Sequence, residues 1–523
     1  MKYTLKGKGS YLLIPVWAGR HEKSVSLSID SGKPVLLSLP LRTVDDDYPP
    51  TFFAGIPAFS KSSMHSADES HTLLLFAEED IGESIFSLFK FSDFIPPPKY
   101  VSARPKLHFV SCSGWINDPN GLVYKDGVYH MYFQYNPFDT KWQNMSWGHA
   151  VSRDLLHWEQ KDSVLFPTED AYIFSGSGIV NDRSLLNLPE NALLFFYTYA
   201  PRERDVTPFT QKIAYSIDGG YSLHTLNGDC IPAMSVENRD PKVFYHDESK
   251  AYICVLWLEK NIYCILRSTD FTDWKEVQRL SMPPAWECPD LFRLKCTQTA
   301  EDKWVFWSAD GYYLVGNFDG YTFKEEQEIQ KAYLTDLPYA AQTFSGIRNE
   351  VISIAWLRMK NLGEPYRGAM SLPRSLCLVK KSDGNYYVSH KTVSQYESVV
   401  RKCCPDRMEF KGFCDWKSDS EKKEPYDITV ESLKDVSILN ICIGETSVFS
   451  YDSGKENALI CGADVRASDV NTIRIIIDGN IAELTNDDYT YIAYTEIVSD
   501  AEIRIHTEGK SSLTVYRISD NIS

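Results

Sequence analysis

The sequence predicts an all-β protein: a five-bladed β-propeller followed by a C-terminal β-sandwich, with an additional N-terminal β-rich domain. Three observations lead there. Short alternating or aromatic runs bounded by Asp-Gly and similar turns recur along the chain, while helical periodicity is scarce. Strand-end tripeptides, each followed by an aromatic, return roughly every 50 to 65 residues, a period that fits multi-strand blades. A second set of motifs, marking where each blade begins, keeps the same period.

Residues 1–100 contain the strand-like runs YLLIPVWAG and TLLLFAEE and end in Pro96-Pro97-Pro98, a stiff linker. They read as a separate accessory domain that either packs for stability or sends a loop, around Ala58 to His71, into the funnel of the propeller. Residues 101–393 read as the catalytic propeller. LVYKDGVYHMYFQY is two strands around a Lys-Asp-Gly turn, and KVFYHDESKAYICVLWL repeats that plan. The blade ends are Ser152-Arg153-Asp154, Ser216-Ile217-Asp218, Ser268-Thr269-Asp270 and Asn317-Phe318-Asp319, followed by Trp158, Tyr221, Trp274 and Tyr321. The blade starts are NDPNGLVY, FSGSGIV, RDPKVFY, ECPDLFRL and YAAQTF, five in all. Residues 394–523 alternate strands such as SILNICIG, TIRIIIDG and EIRIHTEG with polar turns, the pattern of a sandwich. KSDSEKKEP reads as a solvated loop.

Composition narrows the function. The chain has 523 residues, 43% hydrophobic and 13% aromatic, with a formal charge of −17. So acidic a protein is a poor partner for nucleic acid or an anionic membrane, and a neutral small molecule is the natural substrate. The twelve cysteines are scattered through apparent strands without CxxC or zinc spacing, so neither a structural metal nor any other cofactor is expected. Free thiols and a start with only a short apolar run, Tyr11 to Ala18, predict a cytoplasmic protein without signal peptide or membrane span. Homo-oligomerisation through the N- or C-terminal domain is open.

The blade starts carry the chemistry. Asp118 precedes Pro119, Asp240 precedes Pro241, and Glu287 stands one residue before Pro289. A single Asp-Pro-Asn is ordinarily a turn; three acids at equivalent places in a repeat are something else. Proline pushes its predecessor toward extended backbone, which sets each acid at a strand mouth. Propeller strands that begin a blade converge on one axis, so the three carboxylates meet in a funnel. Crowded together, at least one holds its proton near neutral pH, and a protonated acid beside a carboxylate is what cleavage of a glycosidic bond requires.

WINDPNG, QYNP, WGHA, FSGS, RDP, ECPDLF and YAAQTF, in this order, resemble glycoside hydrolase family 32, the family of invertases, sucrose-6-phosphate hydrolases, inulinases and levanases. The likeness covers residues 104 to 393, continues more weakly into the C-terminal part, and does not reach residues 1–100. It implies a retaining β-fructofuranosidase with Asp118 as nucleophile, Glu287 as acid and then base, and Asp240 as a carboxylate that holds fructose hydroxyls. It also implies that Asn117, Gln134, Ser175 and Arg239 bond the fructosyl ring and that Trp142 and Phe174 wall the pocket. The family commonly has Met where Ile116 stands, a change of apolar filler. IDGNIAEL (477 to 484) resembles the family's aspartate-and-glutamate strand in the C-terminal domain. His149 in WGHA reads as a core histidine. Other readings are a fructosyltransferase, a sucrose-6-phosphate hydrolase and, in a different class, a catalytically silent sugar-binding propeller. Silent relatives tend to lose the three acids, all present here.

Overall fold

The computed structural model describes residues 1–43, 48–58, 70–102, 104–203, 207–418 and 424–518. Most of the Ala58 to His71 loop and the centre of KSDSEKKEP lie outside the described residues. Nearly all of the regular structure is β.

Two antiparallel sheets form at the N-terminus. One orders Lys2–Lys8, Ser70–Ala77, Glu22–Ile29 and Val35–Pro40; the other orders Phe52–Pro57, Tyr11–Val16 and Lys90–Ser92. Their facing residues, among them Leu12, Ile14, Val16, Val25, Leu39 and Leu75, are fully buried and make one core. Burying a side chain of this kind stabilises by about 1.5–3 kcal/mol. Phe138, from the region that follows, is part of this same core.

From Gly114 to Thr392 five sheets follow one another, each built outward from the strand that carries a blade-start motif. The first strands are Gly114–Lys125, Ala171–Val180, Arg239–His246, Asp290–Lys295 and Pro338–Thr343. Most neighbouring first strands pack against one another, and the last returns to the first: Tyr124 N–H donates to Ser345 O, and Ser345 N–H to Leu122 O. Tyr366–Arg367 adds a parallel pair to Gly114–Lys125, so the final repeat is tied to the opening one.

The repeated Ser/Asn-x-Asp motif ends the third strand of a sheet. In each case the aspartate turns the chain by accepting backbone N–H groups: Asp154 from Leu156 and His157, Asp218 from Tyr221 and Ser222, Asp270 from Thr272 and Asp273, Asp319 from Tyr321 and Thr322. Two of the following aromatics lock the turn by donating back to it, Trp158 to Leu155 O and Trp274 to Phe271 O. The motif is therefore a turn device, and its period is that of the sheets.

The helix Ser394–Lys402 leads into a ten-stranded sheet whose inner face is the last core. That sheet grips the preceding ones through IDGNIAEL. Asp478 accepts the N–H groups of Lys106, Leu107 and His108, and the His108 ring sits between Asp478 (2.8 Å) and Glu483 (3.1 Å). Glu483 also pairs with Arg374. Burial pushes the His108 pKa down, but its bonds to Asp478 and Glu483 outweigh this and raise it to about 9. His149 is buried and stacked on Tyr132, with ring centroids 4.4 Å apart, as a core histidine.

Candidate active site

Where the first strands converge, their ladders break. The pairing of Gly114–Lys125 with its neighbour shifts between Ile116 and Pro119, that of Ala171–Val180 between Ile173 and Gly176, that of Arg239–His246 between Arg239 and Lys242, and that of Pro338–Thr343 between Tyr339 and Gln342. The irregular residues are Asn117 and Asp118, Phe174 and Ser175, Asp240 and Pro241, and Ala340 and Ala341. Bulges re-aim side chains that a regular pleat would send to the two faces; here they turn polar groups toward the common axis. The remaining sheet achieves this outside its strand, with Glu287 (φ 43°) and Cys288 (φ 37°) in left-handed backbone just before Asp290.

Asp240 corrects the expectation drawn from proline. It precedes Pro241 yet has φ 64°, left-handed where extended geometry was expected. The bulge sets this conformation, and the Asp240 N–H is satisfied by Thr198 Oγ1 at 2.9 Å. Asp240 stands at the mouth of its strand as expected, second in Arg239–His246, whereas Asp118 lies further in, fifth in Gly114–Lys125. Non-glycine residues held in the left-handed region store strain of order 1–3 kcal/mol each and cluster at functional sites. Four of them, Asp240, Glu287, Cys288 and Ala340, meet here.

All nine residues expected to form the site line one cavity of about 270 Å³: Asp118, Asp240, Glu287, Asn117, Gln134, Trp142, Phe174, Ser175 and Arg239. Glu237, Phe209, Tyr339 and Trp356 complete its lining. Asp118 is held by Ser175 Oγ (2.6 Å) and Asn117 Nδ2 (3.2 Å), and Asn117 is itself fixed by Trp115 Nε1 (3.0 Å). Glu287 accepts from Arg239 Nη2 (2.5 Å) and Tyr339 OH (2.9 Å). Cys288 Sγ lies 3.6 Å from Asp118 Oδ2 and 3.4 Å from Asp240 Oδ2, so these carboxylates face one another across a single sulfur. Arg239 also stacks on Trp257, 3.9 Å from the ring centroid. The amide nitrogen of Gln134, buried at the cavity edge, has no hydrogen-bond partner among the described residues.

Electrostatics separate the acids. Burial raises the pKa of Asp240, Arg239 opposes it, and the charges of Glu287 and Asp118 add to the rise, leaving it pushed up to about 7. Burial also raises Asp118, against the hydrogen bonds from Ser175 and Asn117 that favour its charged form. Asp240 is thus a carboxyl that holds its proton toward neutral pH, as the crowding of the acids predicts. Burial and Glu287 hold the Tyr339 phenol far above its ordinary range, so it remains a donor.

Residues 108–390 match the profile described as Glycosyl hydrolases family 32 N-terminal domain. The chain belongs to glycosyl hydrolase family 32. A levanase of Bacillus subtilis is 34% identical over 313 residues, which are 54% of this chain and 46% of the levanase. An extracellular exo-inulinase of Aspergillus awamori is 31% identical over 426 residues, 70% of this chain and 75% of the inulinase. The chain thus spans about half the length of the levanase and three quarters of the inulinase. Among solved structures, a fructofuranosidase of Schwanniomyces occidentalis complexed with fructosylnystose superposes with a TM-score of 0.69 at 25% identity, covering 79% of this chain and 97% of that one. A family 32 glycoside hydrolase of Bifidobacterium adolescentis superposes with a TM-score of 0.66 at 18% identity, over 98% of this chain and 99% of that one. That superposition takes in residues 1–100, for which the sequence motifs had no counterpart. The family fold is a β-propeller with a β-sandwich.

Sequence reasoning missed Tyr339, although it opens the blade-start motif YAAQTF, and Cys288, although it sits between Glu287 and Pro289. Both were read as markers of position. Glu237, two residues before Arg239 and in contact with it at 3.3 Å, carried no signal in one sequence.

Proposed function

We propose that the chain is a retaining β-fructofuranosidase that releases fructose from sucrose and short fructo-oligosaccharides, and that its five sheets are the blades of a five-bladed propeller. The observation that carries this reading is the convergence of Asp118, Asp240 and Glu287, from three sheets distant in sequence, on one cavity. Asp118 attacks the anomeric carbon of the fructosyl unit while Glu287 gives a proton to the departing glycosidic oxygen, leaving a covalent fructosyl-enzyme. Glu287 then takes a proton from water, the water attacks the same carbon, and Asp118 departs with its charge. Asp240, Asn117, Gln134, Ser175 and Arg239 bond the ring hydroxyls, with Trp142 and Phe174 as walls.

The printed names of the relatives, levanase, invertase and exo-inulinase, support a fructoside as substrate. All twelve cysteines are free, which supports action in a reducing compartment. The test is direct. Purified protein should convert sucrose to glucose and fructose in equal amounts, and Asp118→Asn and Glu287→Gln should each lose on the order of 10² to 10⁴ of that rate. Glu287→Ala supplied with azide should yield fructosyl azide of retained configuration. No fructose from sucrose or inulin oligomers, or an inverted product, overturns the proposal.

A further inference from the structure

Trp142 stands out among the residues that line the cavity. It is 42% exposed, and its described ring contacts are edge or tilted approaches to Tyr172 (6.0 Å) and Phe174 (5.9 Å). The indole stands on the loop that joins Val128–Asn136 to Ser146–Ser152, so what anchors that loop bears on where the indole stands.

Both ends of that loop are held by the N-terminal sheets. At its start, Phe138 is fully buried in their core. Next to it, Asp139 Oδ1 accepts the Gly19 N–H at 2.9 Å, and Lys141 Nζ reaches Gly19 O at 3.5 Å. At its end, Asn144 copies a strand partner: its Oδ1 accepts the Ser38 N–H and its Nδ2 donates to Ser38 O, both at 2.8 Å. Asn144 does this from left-handed backbone, φ 50°. Between the two clamps stand Trp142 and Gln143. Gln143 Oε1 accepts from Tyr172 OH at 2.8 Å, and Tyr172 lies under Arg202, which donates to Leu36 O at 2.6 Å. Tyr172, which lies against both Trp142 and Phe174, is thus braced by the same N-terminal strand, Val35–Pro40.

We propose that the N-terminal sheets are a positioning device for the pocket: they fix the loop 138–144 at both ends and so hold the Trp142 wall against the bound fructoside. This rests on the reading of the cavity as the fructoside site. Asp139 and Asn144 are positioning residues that act through Trp142. Four of the clamping groups on the N-terminal side are backbone N–H and C=O groups of Gly19 and Ser38, so the clamp depends on the fold of those sheets and not on their surface side chains. A wall that contacts substrate equally before and during reaction contributes to KM and not to kcat. Loosening it therefore weakens binding and leaves turnover alone.

The experiment uses the full chain carrying Asp139→Ala with Asn144→Gly, with and without Trp142→Ala. Glycine removes both bonds to Ser38 and relieves the φ of residue 144. The clamp variant should raise KM for sucrose on the order of tenfold with kcat within about threefold. Trp142→Ala alone should do the same, and the combination should add no more than about twofold, because residues that act through one group are not additive. Backbone amide exchange over residues 138–145 should quicken in the clamp variant while the first strands of the five sheets keep their protection. Should the double variant not fold, Asn144→Gly alone serves for both readouts. Unchanged exchange in the loop, or KM effects of clamp and tryptophan that multiply in full, overturns the proposal. If the wild-type chain cleaves no fructoside, the functional reading fails, while the exchange result still decides whether the N-terminal sheets hold the loop.

Discussion

Tyr339 donates its phenol to Glu287 Oε2 at 2.9 Å, from the opposite side to Arg239, whose guanidinium bonds the other oxygen. The acid is thereby fixed from the third and fifth sheets at once, although its own backbone lies before the fourth. Hydrogen bonds to charged groups are worth about 1.5–3 kcal/mol. Tyr339→Phe keeps the ring and removes one donor, so kcat on sucrose should drop by roughly tenfold to a hundredfold with the melting temperature nearly unchanged. Steady-state kinetics and a thermal melt check it; kinetics equal to wild type would show that the bond does not aim Glu287.

Asp240 sets a pH dependence of stability. Its folded pKa of about 7 lies above the ordinary aspartate value of 3.8. A carboxyl raised by folding is protonated in both states at low pH and favours the folded state there. As pH climbs from about 4 to 7 the unfolded chain releases the proton first, and stability is lost until both forms are ionised. The loss is at most on the order of 4 kcal/mol. Asp240→Asn carries no such group, so the stability of the wild type relative to this variant should decline across that window. Melts of both proteins from pH 4 to 8 that run parallel would contradict it.

His108 reverses the sign. Its folded pKa of about 9 exceeds the ordinary 6.5 because Asp478 and Glu483 close on both ring nitrogens. The stabilisation is fully present below about pH 6.5 and disappears as pH rises through 9. It amounts to roughly 3 kcal/mol by the usual conversion. His108→Gln should therefore be less stable than wild type at pH 6, with the gap narrowing by pH 9.5. Denaturant unfolding at the two pH values reads this out, and a constant gap would place the effect in packing instead of charge.

The three acids and most of their ring of partners are legible in the sequence because proline and motif order mark equivalent places in a repeat. Strain is not. The φ of Asp240 follows from a bulge, and a bulge depends on the strand opposite, which proline at 241 does not report. Long-range pairs are hidden for another reason: His108 meets Asp478 across 370 residues, and neither residue carries local periodicity that predicts the other. The same holds for Asn144, whose neighbours in sequence say nothing of Ser38. The repeat of Ser/Asn-x-Asp turns is visible as a period, while its cause, an aspartate capping the exit of the third strand in four of the five sheets, needs the hydrogen bonds.

Below the cavity Lys242 is buried beside Asp290, 3.1 Å away, and donates to Thr343 O at 2.6 Å. Asp290 also accepts the Thr343 N–H at 2.8 Å. These residues follow the motif acids in RDPK and ECPD and belong to three sheets, so the pair locks the floor on which Asp240 and Glu287 stand. Removing one partner of a buried pair leaves an uncompensated charge and costs about 3–5 kcal/mol. Lys242→Met should lose that much by urea unfolding. Lys242→Met with Asp290→Asn should lose less than the single change; a double variant as unstable as the sum of its parts would deny the coupling.

The charge around the cavity should disfavour phosphorylated sugars. Among the described residues its lining carries four acidic side chains, Asp118, Glu237, Asp240 and Glu287, of which Asp240 has its pKa pushed up to about 7, against one cation, Arg239. Arg239 is already engaged, with Glu287 at 2.5 Å and Glu237 at 3.3 Å. A phosphate on the leaving sugar would bring close to two negative charges into this field and find no free guanidinium fork in the lining, the usual means of binding it. Sucrose should therefore be hydrolysed with a higher kcat/KM than sucrose 6-phosphate, by tenfold or more for about 1.4 kcal/mol of repulsion. Because the repulsion is electrostatic, the preference should narrow as salt rises from about 0.01 to 1 M, where the screening length shrinks from roughly 30 to 3 Å. Glu237→Gln, which removes a charge at the rim without touching the three central acids, should narrow it as well. Equal kcat/KM for the two sugars at low salt, or a preference for the phosphorylated one, would refute the electrostatic account.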